Sequence, residues 1–170
     1  MQRGSVAVER VPVAICTSHL WARGLVELRG STQLIDVLNQ NSTAALSVLN
    51  GEILPIGATQ WPEARPRLIL NKAEILFAHP VGDAAERIIP IDSGIQRYPV
   101  SIGLHLGGYH VQGTLHLPDR VAWEQYLTAL RDRFLALTGV TITRAVDGTI
   151  VGTAASAAVN RERLAVLYEL

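Results

Sequence analysis

Apolar and polar residues alternate through Tyr98-Pro99-Val100-Ser101-Ile102-Gly103-Leu104-His105-Leu106, pause at Gly107-Gly108, and alternate again through Tyr109-His110-Val111-Gln112-Gly113-Thr114-Leu115-His116-Leu117. A period of two marks a strand with one buried face. The Gly-Gly pair supplies the positive φ that a tight hairpin turn needs. Setting Leu106 opposite Tyr109 puts Leu104 opposite Val111 and Val100 opposite Leu115. Val100, Ile102, Leu104 and Leu106 then share one face with Tyr109, Val111, Leu115 and Leu117. Ser101, His105, His110, Gln112 and Thr114 take the other.

A weaker version lies near the start. Val11, Val13 and Ile15 alternate up to Thr17, Ser18-His19 takes the turn, and Leu20, Ala22, Gly24, Val26 and Leu28 return. The opposite face carries Ala14, Cys16 and Trp21, which either pack in their own core or meet another part of the protein or a partner. An offset of 89 residues lays 15–79 on 104–168 without a gap. It places Gly24 on Gly113, Leu28 on Leu117, Leu38 on Leu127, Leu46 on Leu135, Ile53 on Ile142 and Asn71 on Asn160. The shared order of features says more than these few identities. Each half has a hairpin, a helix candidate, an apolar strand, and a late strand entered through Asn71-Lys72 or Asn160-Arg161.

Ser31 or Thr32 can cap a helix running to about Gln40, with Leu34, Ile35 and Leu38 on one side. Asp119, after Pro118, can cap a second helix to about Arg133, with Trp123, Tyr126, Leu127, Leu130 and Phe134 at helical spacing. Strands are expected at about 44–49, 52–56, 67–78, 134–137, 140–144, 149–159 and 163–170, with a loop at 57–66 and a turn at Asp147-Gly148. A turn or bulge is expected at Asn160. Residues 80–97 read as a linker in which Ile88, Ile89 and Ile91 could join a sheet. The fold expected is mainly β (α+β): two pseudo-symmetric antiparallel units, 1–79 and 98–170, each with a short helix. They form either one shared sheet or two small barrels.

Two sets of fragments carry a family resemblance. They are Thr17-Ser18-His19-Leu20-Trp21-Ala22-Arg23-Gly24 with Leu34-Ile35-Asp36-Val37-Leu38-Asn39, and Tyr109–Leu117 with Phe134-Leu135-Ala136-Leu137-Thr138. The chain resembles an uncharacterised family of small β-rich bacterial domains. The resemblance implies a tandem copy of one unit over most of 11–170, and it carries no functional residues. The second half departs from the pattern with Glu124-Gln125-Tyr126-Leu127-Thr128 in place of Ile-Asp-Val-Leu-Asn.

Composition bounds the function. With 48% hydrophobic and 18% charged residues in 170, the chain can bury a substantial core. Fifteen basic and fifteen acidic side chains cancel, which argues against a broad nucleic-acid surface. The single cysteine, Cys16, suits a small buried hydrophobe better than a nucleophile. No apolar run has the roughly 20 residues of a spanning helix, and the N-terminus lacks the apolar core of a leader, so no membrane is expected and a cytoplasmic location is.

Candidate chemistry is sparse. His105 and His110 should face each other, but two imidazoles are too few for a structural zinc site, and His116 lies roughly 20 Å along the strand. No metal or cofactor is expected. Familiar hydrolase, metalloprotease and nucleotide motifs are missing, so no catalytic residues are assigned. Arg65 and Arg67 flank Pro66, and Arg131 and Arg133 follow the second helix. Guanidinium pairs of this kind can hold an anion. Trp61, in a Pro-rich loop, is a candidate anchor for a ligand or partner. These residues suit a non-enzymatic interaction or scaffold module, homo-oligomeric or binding a protein partner through free β edges. The alternative is a small-ligand or anion sensor with a groove between the halves.

Overall fold

Among the described residues, short apolar alternations separated by turn residues become ten strands and two short helices. A computed structural model describes residues 7–30, 32–61, 64–86, 97–118 and 121–170. The first half contains β1 (Val8–Thr17), β2 (Leu20–Arg29), α1 (Leu34–Asn39), β3 (Ala45–Pro55), β4 (Arg65–Asn71) and β5 (Ile75–Pro80). The second contains β6 (Arg97–Leu106), β7 (Tyr109–Pro118), α2 (Trp123–Ala129), β8 (Phe134–Arg144), β9 (Ile150–Asn160) and β10 (Val166–Glu169). A 3-10 turn precedes β5 at Lys72–Glu74, and another precedes β10 at Arg161–Arg163. All strands join one antiparallel sheet in the order β10-β6-β7-β8-β9-β5-β1-β2-β3-β4.

Both hairpins take the expected register: Leu106 pairs with Tyr109, Leu104 with Val111, Val100 with Leu115, and Ile15 with Ala22. The glycines of the second turn have φ of 55° and 83°, as a primed turn requires. Adding 89 to both members of a first-half pair gives a second-half pair in every shared ladder, Thr17↔Ile75 excepted. Ala22↔Ile53 becomes Val111↔Ile142, Leu46↔Leu70 becomes Leu135↔Val159, and Cys16↔Phe77 becomes His105↔Val166. The register slips that follow Arg23 and Gln112 also match.

Two strands run on where the sequence pattern predicts breaks. Expected breaks at 49–52 and 137–140 lie inside continuous β3 and β8, where Asn50 (φ 47°) and Gly139 (φ 58°) absorb a local irregularity. The expected strand at 67–78 is interrupted by the turn at Lys72–Glu74, because the Asn71 side chain accepts from the Ala73 amide. Asn160 does the same for Glu162, which is the turn foreseen there.

The helices start later than expected. Thr32 does not cap α1: its hydroxyl is bound to Arg29 N and O, and the Gln33 amide donates to the Asp36 carboxylate at 2.7 Å instead. Ser31, Asp119 and the Ile88-Ile89-Ile91 segment lie outside the described residues. α2 ends at Ala129, short of Arg133, and Phe134 belongs to β8. Asn39 takes up the Phe134 backbone on both sides, accepting from its N at 2.8 Å and donating to its O at 3.0 Å.

The halves meet where β5 pairs with β9, Phe77 with Val159 and Ala78 with Ala158. Alternation there sends neighbouring residues to opposite faces. Ile15, Ala78 and Ala158 enter a core shared with Val13, Leu38 and Val48. Cys16, Phe77 and Val159 enter a second core with Leu104, Val111 and Ile142. The central strands are therefore apolar on both faces, as the burial of Ile75 through His79 shows.

Candidate functional site

Two features of this architecture could recognise something: a groove at the junction of the halves and the two outer edges of the sheet. The groove, about 430 Å³, is lined by Trp21 and Arg23 of β2, Leu54 of β3, Trp61, His79 of β5 and Val151 of β9, with Ala14 and Val81. The Arg23 guanidinium lies 4.4 Å from the Trp61 ring centroid and forms an ion pair with Glu52. His79 is buried, and its Nδ1 lies 2.9 Å from the Pro80 carbonyl. With Nδ1 as donor, Nε2 is the lone-pair nitrogen. Burial holds its pKa below the usual 6.5, opposed by the Pro80 bond.

Behind the groove, Trp21 Nε1 donates to the Tyr109 hydroxyl at 2.9 Å, and Phe77 packs edge-on against both rings. The apolar outer face of the first hairpin thus meets the other half. Cys16 is fully buried there, and its thiol is pushed up to about 12, burial outweighing the hydrogen bond to Tyr109. That environment suits packing, not nucleophilic attack.

Among the described residues the sheet edges are β4 and β10, each with a single strand neighbour. On them Ile69 is 63% exposed and Val166 51% exposed. Natural proteins usually guard such edges with charge or proline. β4 is guarded at its first residues, Arg65-Pro66-Arg67, all exposed, but Leu68-Ile69-Leu70 after them are apolar.

The expected site residues separate accordingly. Trp61 lies in the groove. Arg65 and Arg67 lie on the β4 edge. Arg131 is exposed before β8, and Arg133 is bound to Glu162 at 2.9 Å. One arginine pair lies in β4 and the other precedes β8, and these strands are not neighbours. His105 and His110 do face each other, stacked at 4.6 Å, with Tyr168 bound to His110 Nε2 at 2.7 Å. Among the described residues no group of three metal-ligating side chains converges. Arg23 and His79 were not foreseen; only the fold brings them beside Trp61. No helix among the described residues is long and apolar enough to cross a membrane. Comparison with protein-family models, curated proteins and solved structures returned no match.

Proposed function

We propose that this protein is a non-enzymatic assembly module that recruits a partner strand at the open edges of its sheet, and that it arose by duplication of a five-stranded unit. The observation that carries the first part is the pair of apolar edge residues, Ile69 and Val166, left uncovered on otherwise hydrogen-bond-ready strands. The common offset of 89 in the ladders supports the second. The test compares tagged wild type with an Ile69→Lys/Val166→Lys variant in quantitative capture from a cell extract. A partner kept by the wild type and lost by the folded variant is expected; identical capture overturns the reading.

A second reading rests on the groove. Two indoles, a stacked guanidinium and aliphatic walls fit a planar aromatic ligand, with Arg23 offering a charge to an attached carboxylate. A panel of aromatic carboxylates should raise the melting temperature of the wild type and not of Trp61→Ala. Equal response by both proteins counts against it.

A further inference from the structure

The assembly reading leaves open what covers the two edges, and the register of the internal junction supplies an answer that rests on it. At that junction Phe77 pairs with Val159 and Ala78 with Ala158. Shifted by 89, Phe77 and Ala78 of β5 fall on Val166 and Leu167 of β10. Shifted back by 89, Val159 and Ala158 of β9 fall on Leu70 and Ile69 of β4. The chain therefore carries both sides of its own junction a second time, one at each end of the sheet. We propose that the occupant of each edge is a second copy of this chain, joined head to tail: β10 of one copy pairs antiparallel with β4 of the next, Val166 opposite Leu70 and Leu167 opposite Ile69.

Burial supports the correspondence. Phe77 and Ala158 are 0% and 3% exposed inside the molecule, whereas their counterparts Val166 and Ile69 are 51% and 63% exposed. All four are apolar, so the edge residues have the character of a buried junction without a strand to bury them.

The polar contacts around the internal junction transfer as well. Asn160 caps its turn and donates Nδ2 to the Ile75 carbonyl at 2.8 Å across the junction. Asn71 caps the equivalent turn next to the open edge, where the counterpart carbonyl is that of Leu164 in the neighbouring copy. Arg163 reaches across to the Ala73 carbonyl and the Glu74 carboxylate, both at 2.8 Å. The shift of 89 exchanges positions 74 and 163. The same correspondence sets Glu74 of one copy opposite Arg163 of the next, two groups of opposite charge that are joined to each other within each chain. Such an interface uses two different patches, so each added copy leaves a fresh edge of each kind until a ring closes.

The experiment combines light scattering with cross-linking on the full chain. The unmodified protein should have a mass of at least twice the 18.4 kDa of one chain. Ile69→Lys and Val166→Lys should each reduce it to that of one chain without loss of the folded spectrum. Leu70→Cys mixed with Val166→Cys should form a disulfide-linked pair on oxidation, since directly opposed strand residues approach within disulfide range. Either variant alone should not, and Leu70→Cys with Tyr168→Cys, out of register, should not. The native Cys16 is buried and does not compete. A single-chain mass at every concentration overturns the second-copy proposal but leaves the edge reading to the capture test. Self-linking of Leu70→Cys overturns the head-to-tail arrangement, and equal linking out of register overturns the pairing.

Discussion

The indole of Trp21 and the phenol of Tyr109 are joined by a hydrogen bond of 2.9 Å, with their rings edge to face at 5.8 Å. This contact ties the first hairpin to the second in a mostly apolar setting. Tyr109→Phe keeps the ring packing and removes the hydroxyl, which accepts from Trp21 and also bonds the Cys16 thiol. It should lower unfolding free energy in urea by about 1 kcal/mol. A cycle with Trp21→Phe should return a coupling of roughly 1 kcal/mol; strict additivity would mean the bond contributes nothing net.

Lys72 should matter more than its surface-type side chain suggests. It is 2% exposed, and its ammonium donates to Val37 O at 2.6 Å, Gln40 O at 3.0 Å and the Thr43 hydroxyl at 3.2 Å. A six-residue helix leaves its last carbonyls without partners, and Lys72 supplies donors for α1. Burial, then the charge of Arg133, holds its pKa below 10.5. Lys72→Met strands those carbonyls and should cost roughly 2–4 kcal/mol. Arg161 is its counterpart, donating to the Leu127 and Asp132 carbonyls, but is half-exposed. Arg161→Met should cost less, about 1 kcal/mol, because water can reach the freed groups. Urea melts of the two variants give the comparison.

The hairpins were legible because each buries one face, so their alternation is written in the chain. The β5–β9 junction was not, for the opposite reason. Ile75 to Ala78 are buried on both faces, which erases alternation and leaves a short apolar run compatible with several elements. Trp61 could be singled out because a large aromatic among prolines is conspicuous; Arg23 and His79 join it only through pairing of distant strands. The arginine pairs were conspicuous as well, but the strands they would border were not: Arg65 and Arg67, with Pro66 between them, fall on the edge strand β4. Lys72 was visible only as part of the repeated Asn71-Lys72 and Asn160-Arg161 entries; its role was not, because two of its three partners are backbone carbonyls that any residue would present.

Asn39 offers a test of the contact between α1 and β8. Its amide donates to Phe134 O and accepts from Phe134 N, fixing the strand entry that ends the path from α2. Asn39→Asp keeps the acceptor but places a second oxygen against the Phe134 carbonyl. It should destabilise by about 2 kcal/mol at neutral pH. Asn39→Ser, which retains a small donor and acceptor, should cost less in the same denaturation series. Equal losses would show that the second hydrogen bond is dispensable.

Three imidazoles set the expected response to acid. His79, His110 and His116 all have pKa values held below the usual 6.5, in each case mainly by burial. The charge of His105 adds to the effect at His110, and that of Arg97 at His116. The unfolded chain titrates near 6.5, so on acidification it takes up protons before the folded protein does. Stability is then greatest above that value and is lost as pH falls through 6.5 toward the lower folded pKa values. Melting temperature should drop between roughly pH 7.5 and pH 5.5. His79→Asn keeps a donor for the Pro80 carbonyl but cannot titrate, so its melting temperature should fall less over the same interval. A slope unchanged from wild type would remove His79 from the acid response and leave it to the two histidines of β7.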